Sequence, residues 1–200
     1  MASQLQIANW ALTLLGEKRL SALSDNNQNA ELISDFWDMA RDGLLRLAAW
    51  SFAIERISLP ADSATPAWGY DYQYSLTDDV VRVLQVSEDY AGLDLSFFRG
   101  GDTNLYRIEQ RKILTSIGAP LYVKWIVNSI DIGIWDASFA RLMAHDLALL
   151  INPRATESES TSQRLAVWKA QAWAEAAATN AIEQPSEPIA DDTWLSAHAS

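Results

Sequence analysis

Only two side chains in this chain titrate near neutrality when unperturbed, His145 and His198. His145 lies in Ala-His-Asp-Leu beside Asp146, where a general base is conceivable, but a base needs a nucleophile to activate. No G-x-S-x-G elbow accompanies it, and there is no cysteine at all. The missing cysteine excludes thiol catalysis, disulfides and Cys-ligated zinc, so a metal site would rest mostly on carboxylates. His145 therefore reads as a partly buried helix residue, and His198 belongs to the last three residues. Two adjacent carboxylate pairs, Asp78-Asp79 and Asp191-Asp192, do not make a glycosidase, whose two carboxylates must flank one bond about 5–10 Å apart. Asp78-Asp79 reads as a turn between strands. Asp191-Asp192 reads as a solvated tail, or as charge aiming that tail at a basic partner. Neither G-x-x-x-x-G-K-[ST] nor G-x-G-x-x-G occurs, and Gly100-Gly101 suits a hairpin turn better than a phosphate cradle. These residues lead us to expect no enzyme, no catalytic residue, no metal and no cofactor.

Binding is the remaining chemistry. Arg107, Arg111 and Lys112 form the densest basic spot, beside Tyr106 and opposed by Glu109. A net charge of −11 over 200 residues favours solvated strand charges there over a nucleic-acid patch. Nine tryptophans are the compositional anomaly, and Trp is enriched at interfaces. Trp37, Trp125 and Trp168 fall on apolar faces and are expected in the core. Trp50 and Trp68 fall at element boundaries and are candidate inter-subunit contacts. Trp194 stands in a polar tail with Ile189 and Leu195, a candidate docking arm.

Periodicity supplies the elements that position these residues. Ser3 can cap a first helix whose Ala8, Ala11, Leu12 and Leu15 share a face, with Ile7, Trp10 and Leu14 on the other side and Gly16 closing it. After the polar run Ser21–Asn29, a second helix is predicted over about Ala30–Ala49, with Ile33, Phe36, Trp37, Ala40, Leu44 and Leu47 at helical spacing and Asp42–Arg46 paired on its polar side. The period then changes to two. Tyr70, Tyr72, Tyr74 and Leu76 alternate with polar residues, as do stretches at Val81–Val86 and Leu121–Val127. With Leu93–Phe98, the Gly100-Gly101-Asp102 turn and Leu105–Glu109, they predict one small antiparallel sheet of four to six strands. Asp136 can cap a third helix, Ala137–Ile151, with Phe139, Leu142, Met143, Leu147 and Leu150 inward and Asn152-Pro153 ending it. An Ala-rich fourth helix follows over about Ser162–Ala181, with Leu165, Trp168 and Ala172 on one stripe.

The expected fold is α+β and mainly helical. A bundle of about four helices is built from residues 1–50 and 132–181, with an antiparallel β domain of residues 51–131 inserted. Residues 182–200, with Pro185 and Pro188, are read as an extended C-terminal arm. The N-terminus carries no basic run before its apolar stretch and does not read as a signal peptide. No uncharged apolar run reaches about 18 residues, so no membrane span and no membrane partner are expected. An apolar content of 49% is enough for a genuine core and rules out a disordered chain.

Several segments together carry a resemblance. They are ALTLLGEKRLSALSD; a helix end with Arg41, Leu44, Leu45, Arg46, Trp50, Phe52, Ala53 and Arg56; AWGYDYQYSLTDDVVRVLQV; the hairpin YRIEQRKIL followed by APLYVKW; and DDTWL near the C-terminus. In this order the chain resembles the head-to-tail adaptor proteins of tailed bacteriophages, including the tail tubular protein A of short-tailed phages. Two departures stand out. Gln110 occupies a place where Gly would suit the hairpin turn, predicting a wider or different turn, and Ser196-Ala197-His198 replaces the basic residues that often follow the tail Trp-Leu.

The resemblance implies a structural virion protein, assembled in the host cytoplasm. It would form a twelve-fold ring beneath the portal, extend the DNA channel for genome retention and ejection, and offer a platform to the next tail component, a nozzle or tail tube. It assigns portal docking to Ile189, Trp194 and Leu195. Double-stranded DNA would pass through the lumen without specific binding, and an acidic wall suits that by repelling phosphates. The alternatives are an adaptor-related peptidoglycan hydrolase and a non-viral protein-interaction domain.

Overall fold

The computed structural model describes residues 2–87, 105–128, 130–156 and 158–183. The expected strand Leu93–Phe98, the turn Gly100-Gly101-Asp102, and Ile189, Asp191, Asp192, Trp194, Leu195 and His198 lie outside those residues. The fold is mixed α+β with helices predominating, with four α-helices and six strands among the described residues. The chain divides into two compact units. One, helical, comprises Met1–Ile54, Asp79–Arg82 and Ile126–Glu183; the other, β-rich, comprises Glu55–Asp78 and Val83–Trp125.

In the helical unit, Ser3 caps α1 (Gln4–Leu15) through a reciprocal capping box with Gln6. Gly16 ends it at φ 80°, a left-handed conformation that costs a side-chain-bearing residue about 1–2 kcal/mol. Buried Asn9 then fastens the chain beyond the helix, its amide donating to the Leu20 carbonyl (3.0 Å) and accepting from the Leu20 N–H (2.7 Å).

Asn27 caps α2 (Gln28–Leu47), which buries Ala30, Ile33, Trp37, Ala40 and Leu44 along one stripe. Two expectations fail on this helix. Leu47 is exposed, and the Asp42–Arg46 pair does not form. Asp42 is held by the neighbouring Arg41 at 2.8 Å, whose guanidinium also reaches Asp38 at 2.9 Å. Arg46 instead donates to the Val81 carbonyl at 3.0 Å. A backbone acceptor within reach outcompetes a surface ion pair worth a few tenths of a kcal/mol.

Asp136 caps α3 (Ala137–Ala155), which is buried on nearly every side because it touches α1, α2 and α4 (Glu159–Glu183). Leu150 is only half-buried; Ile151 faces the core instead. The helix runs two residues past Pro153 rather than ending there. Asn152 explains the continuation. Its carbonyl accepts from the Thr156 N–H, and its amide donates to the Ser158 carbonyl (3.1 Å) and the Ser162 hydroxyl (2.7 Å), pinning the turn into α4.

The strands are β1 (Ile54–Leu59), β2 (Tyr72–Ser75), β3 (Val80–Ser87), β4 (Tyr106–Glu109), β5 (Lys112–Thr115) and β6 (Leu121–Val127). They form two three-stranded antiparallel sheets, β1-β6-β3 and β2-β5-β4, rather than the single sheet expected. Alternation in a sequence reveals strands but not their partners, which are set by register. In the second sheet Tyr74 opposes Ile113, both fully buried, while Ser75, Lys112 and Glu109 form one row of the other face and Gln73, Leu114 and Arg107 the next. Gln110 and Arg111 join β4 to β5 at φ 47° and 59°. This is a tight two-residue turn of the primed class without glycine, not a wider one. The Arg111 guanidinium donates to the Thr77 carbonyl at 2.5 Å, which helps hold it.

Candidate subunit-contact surfaces

The tryptophans separate by environment. Trp50 is 1% exposed. Its indole N–H donates to the Leu44 carbonyl at 2.8 Å, and its ring meets Phe139 at 4.9 Å and Trp173 at 5.7 Å, both edge-on. Phe52, Trp135 and Trp37 extend this aromatic cluster. Trp50 is therefore a core residue of the helical unit, not an inter-subunit contact. A large apolar side chain at the end of a helix can fold back over that helix as easily as face outward. Trp37 and Trp125 are buried as expected, with the Trp125 indole donating to Glu55 at 2.9 Å. Trp168, expected in the core, is only half-buried.

The cluster is closed by a clamp. Asn180, near the end of α4, donates to the Ala49 carbonyl and accepts from the Ser51 N–H, each at 2.8 Å, and Glu183 accepts from the Ser51 hydroxyl. These bonds tie the exit of α2 to the end of α4 across about 130 residues of chain. Neither Asn180 nor Glu183 was singled out from the sequence. An Asn at a helix end serves a local cap as readily as a distant clamp, so no pattern marks it.

Trp68 is the opposite case, 86% exposed. It precedes Gly69, whose φ of 87° is a left-handed conformation suited to glycine. Residues Pro66–Tyr70 and the polar face of β2-β5-β4 line an open groove of about 470 Å³, with Gln73, Arg107, Glu109, Gln110, Lys112 and Leu114 along it. Beside this face, Asp62 accepts from Lys112 (2.9 Å) and from the Ser75 hydroxyl (2.9 Å). Burial alone would raise its pKa, but these bonds and the Lys112 charge outweigh that and hold the carboxyl below its ordinary value.

A second cavity, of about 390 Å³, opens on the helical unit. Three helices each contribute a pair one turn apart: Trp10 and Leu14 from α1, Arg141 and His145 from α3, Trp168 and Gln171 from α4. His145 is 5% exposed, and its Nδ1 lies 2.8 Å from the Arg141 carbonyl. A carbonyl can only accept, so Nδ1 carries the proton and Nε2 of the neutral ring is an acceptor. Among the described residues nothing donates to that Nε2. Trp10 meets the imidazole edge-on at 6.1 Å. Arg141 is paired with Glu175 at 2.8 Å, while Arg164 lies over the Trp168 ring at 5.2 Å with no carboxylate partner among the described residues.

Asp78-Asp79 forms the turn into β3, and the Asp79 carbonyl accepts from the Asn128 N–H at 2.7 Å. Ile189, Trp194 and Leu195, expected from the resemblance to dock a portal, lie outside the described residues. No described helix is long and apolar enough to cross a membrane. Compared with protein-family models the chain matches none, and it matches no curated protein.

Proposed function

We propose that this chain is a structural virion protein, a ring-forming adaptor between the portal and the tail of a tailed bacteriophage that extends the DNA channel. The observation that carries this reading is the order of five sequence segments that resemble the head-to-tail adaptors across nearly the whole chain. Three of them fall on defined features of the fold, the hairpin segment on two. ALTLLG ends at the left-handed Gly16; Leu44 and Trp50 bond to each other in the helical core; YRIEQRKIL is the β4–β5 hairpin; and APLYVKW enters the apolar strand β6.

Two physical features support the same role. An excess of eleven negative charges repels a passing duplex instead of gripping it. An exposed Trp68 and a tryptophan-lined cavity offer apolar area of the kind that lateral ring contacts bury. The partners of this role are other copies of the chain, the portal protein and the next tail protein, with Ile189, Trp194 and Leu195 as the portal-docking arm.

Light scattering on the purified chain, alone and mixed with the portal protein of the same genome, tests the proposal. A saturable portal-bound ring is expected. Deleting Pro185–Ser200 is expected to leave a folded protein that no longer joins the portal. A chain that ignores the portal, or a truncated chain that joins it normally, overturns the reading.

A further inference from the structure

We infer that Trp68 of one copy of this chain seats in the cavity formed by Trp10, Trp168 and His145 of a neighbouring copy, its indole N–H donating to His145 Nε2. The inference deepens the ring reading and rests on it for its biological setting. The partner is a second copy because the chain carries both unmatched halves of one contact. Trp68 offers a ring that is 86% exposed and an N–H without a partner among the described residues. The cavity offers two indole walls and a 95%-buried imidazole whose Nε2 receives no bond from the described residues. At about 390 Å³ it has room for an indole, since benzene fills a cavity of about 150 Å³.

Knob and hole are different surfaces of one chain, so each copy uses both once. The contact is head-to-tail, the kind that closes into a ring when the rotation per subunit allows.

Analytical ultracentrifugation of the full chain tests this at protein concentrations up to about 1 mM, the weak end of specific association. Trp68→Ala removes the knob and Gln171→Trp fills the hole. Both positions are exposed, so unchanged near-ultraviolet circular dichroism verifies folding. The wild-type chain is expected to self-associate, and each variant alone to associate at least about tenfold more weakly. An equimolar mixture of the two variants is expected to form a one-to-one dimer, because one supplies an intact hole and the other an intact knob. A wild-type chain that stays monomeric, a Trp68→Ala chain that associates like wild type, or a mixture no better associated than its components each overturns the inference. A portal-bound ring that forms equally well with Trp68→Ala overturns it while leaving the adaptor reading intact. Complementation in a chain that ignores the portal supports the contact and removes the adaptor reading.

Discussion

Replacing Asn180 tests whether the helical unit is held shut at its far end. The Asn180 amide bridges the Ala49 carbonyl and the Ser51 N–H at 2.8 Å each, in a part-buried setting. Asn180→Ala removes both bonds and leaves the two backbone groups beside the Trp50 cluster without these partners. Each bond lost in this way costs about 1 kcal/mol, and more where water cannot enter, so about 2–3 kcal/mol is expected in total. For a chain of this length that lowers the melting temperature by roughly 4–12 °C. Asn180→Asp keeps the acceptor for Ser51 but sets a carboxylate oxygen against the Ala49 carbonyl near the negative end of α4, so its cost should be at least that of Asn180→Ala. Urea titration followed by tryptophan fluorescence reads the global effect, with Trp50 and Trp173 close to the clamp. Two compact units need not melt together, so hydrogen exchange at the Ser51 amide supplies a local reading. The reasoning is refuted if Asn180→Ala costs less than about 0.5 kcal/mol, the ordinary range of surface changes. It is equally refuted if the Ser51 amide exchanges no faster.

Trp50→Ala should destabilise the helical unit by about 3–5 kcal/mol and Trp68→Ala by no more than about 0.5 kcal/mol; calorimetry on both decides between core and surface roles. Gln110→Asn should raise stability by about 0.5 kcal/mol, because Asn tolerates the left-handed φ of 47° better than Gln, and a denaturation midpoint measures it. The folded pKa of Asp62 lies below its ordinary 3.8, so its contribution is fully present above that pH and is lost as pH falls through the folded value. Asp62→Asn should therefore flatten, without abolishing, the acid limb of a stability–pH curve, since Asp136 is lowered in the same direction by its bonds from Ser138 and neighbouring backbone. At the alkaline end, burial raises the Tyr74 hydroxyl above its ordinary 10.0. Its contribution is present below that pH and lost as pH rises through the folded value, a loss that Tyr74→Phe should remove from alkaline unfolding curves.

The three asparagine clamps share one physical logic. Asn9, Asn152 and Asn180 each use a side-chain amide to bond backbone groups at a helix boundary, although the Ser158 carbonyl bonded by Asn152 also accepts from the Ser162 N–H of α4. Unpaired buried backbone groups are costly, and a side-chain amide presents one donor face and one acceptor face like the peptide it replaces. Each clamp sits where the chain leaves or enters a helix. Together they fix the ends of the helices whose sides the apolar residues pack.

Local order in this protein is legible in its sequence because it depends on near neighbours. Ser3, Gly16 and Asp136 cap their helices through bonds spanning four residues or fewer, and the alternation at Leu121–Val127 is a strand in the fold. Helix–sheet–helix order follows from where the apolar period switches. What depends on distant partners was not legible. Trp50 and Trp68 carry the same side chain at similar element boundaries, yet one is 1% exposed and the other 86%, because only Trp50 has Phe139 and Trp173 to close over it. Arg46 passed over the carboxylate one turn away for a carbonyl 35 residues on. Six strands became two sheets because register, not alternation, assigns partners. The cavity at His145 exists only because three helices, far apart in the chain, each present one pair of side chains to the same space. Burial and hydrogen-bond satisfaction belong to the assembled fold, and a single strand of sequence carries only half of each contact.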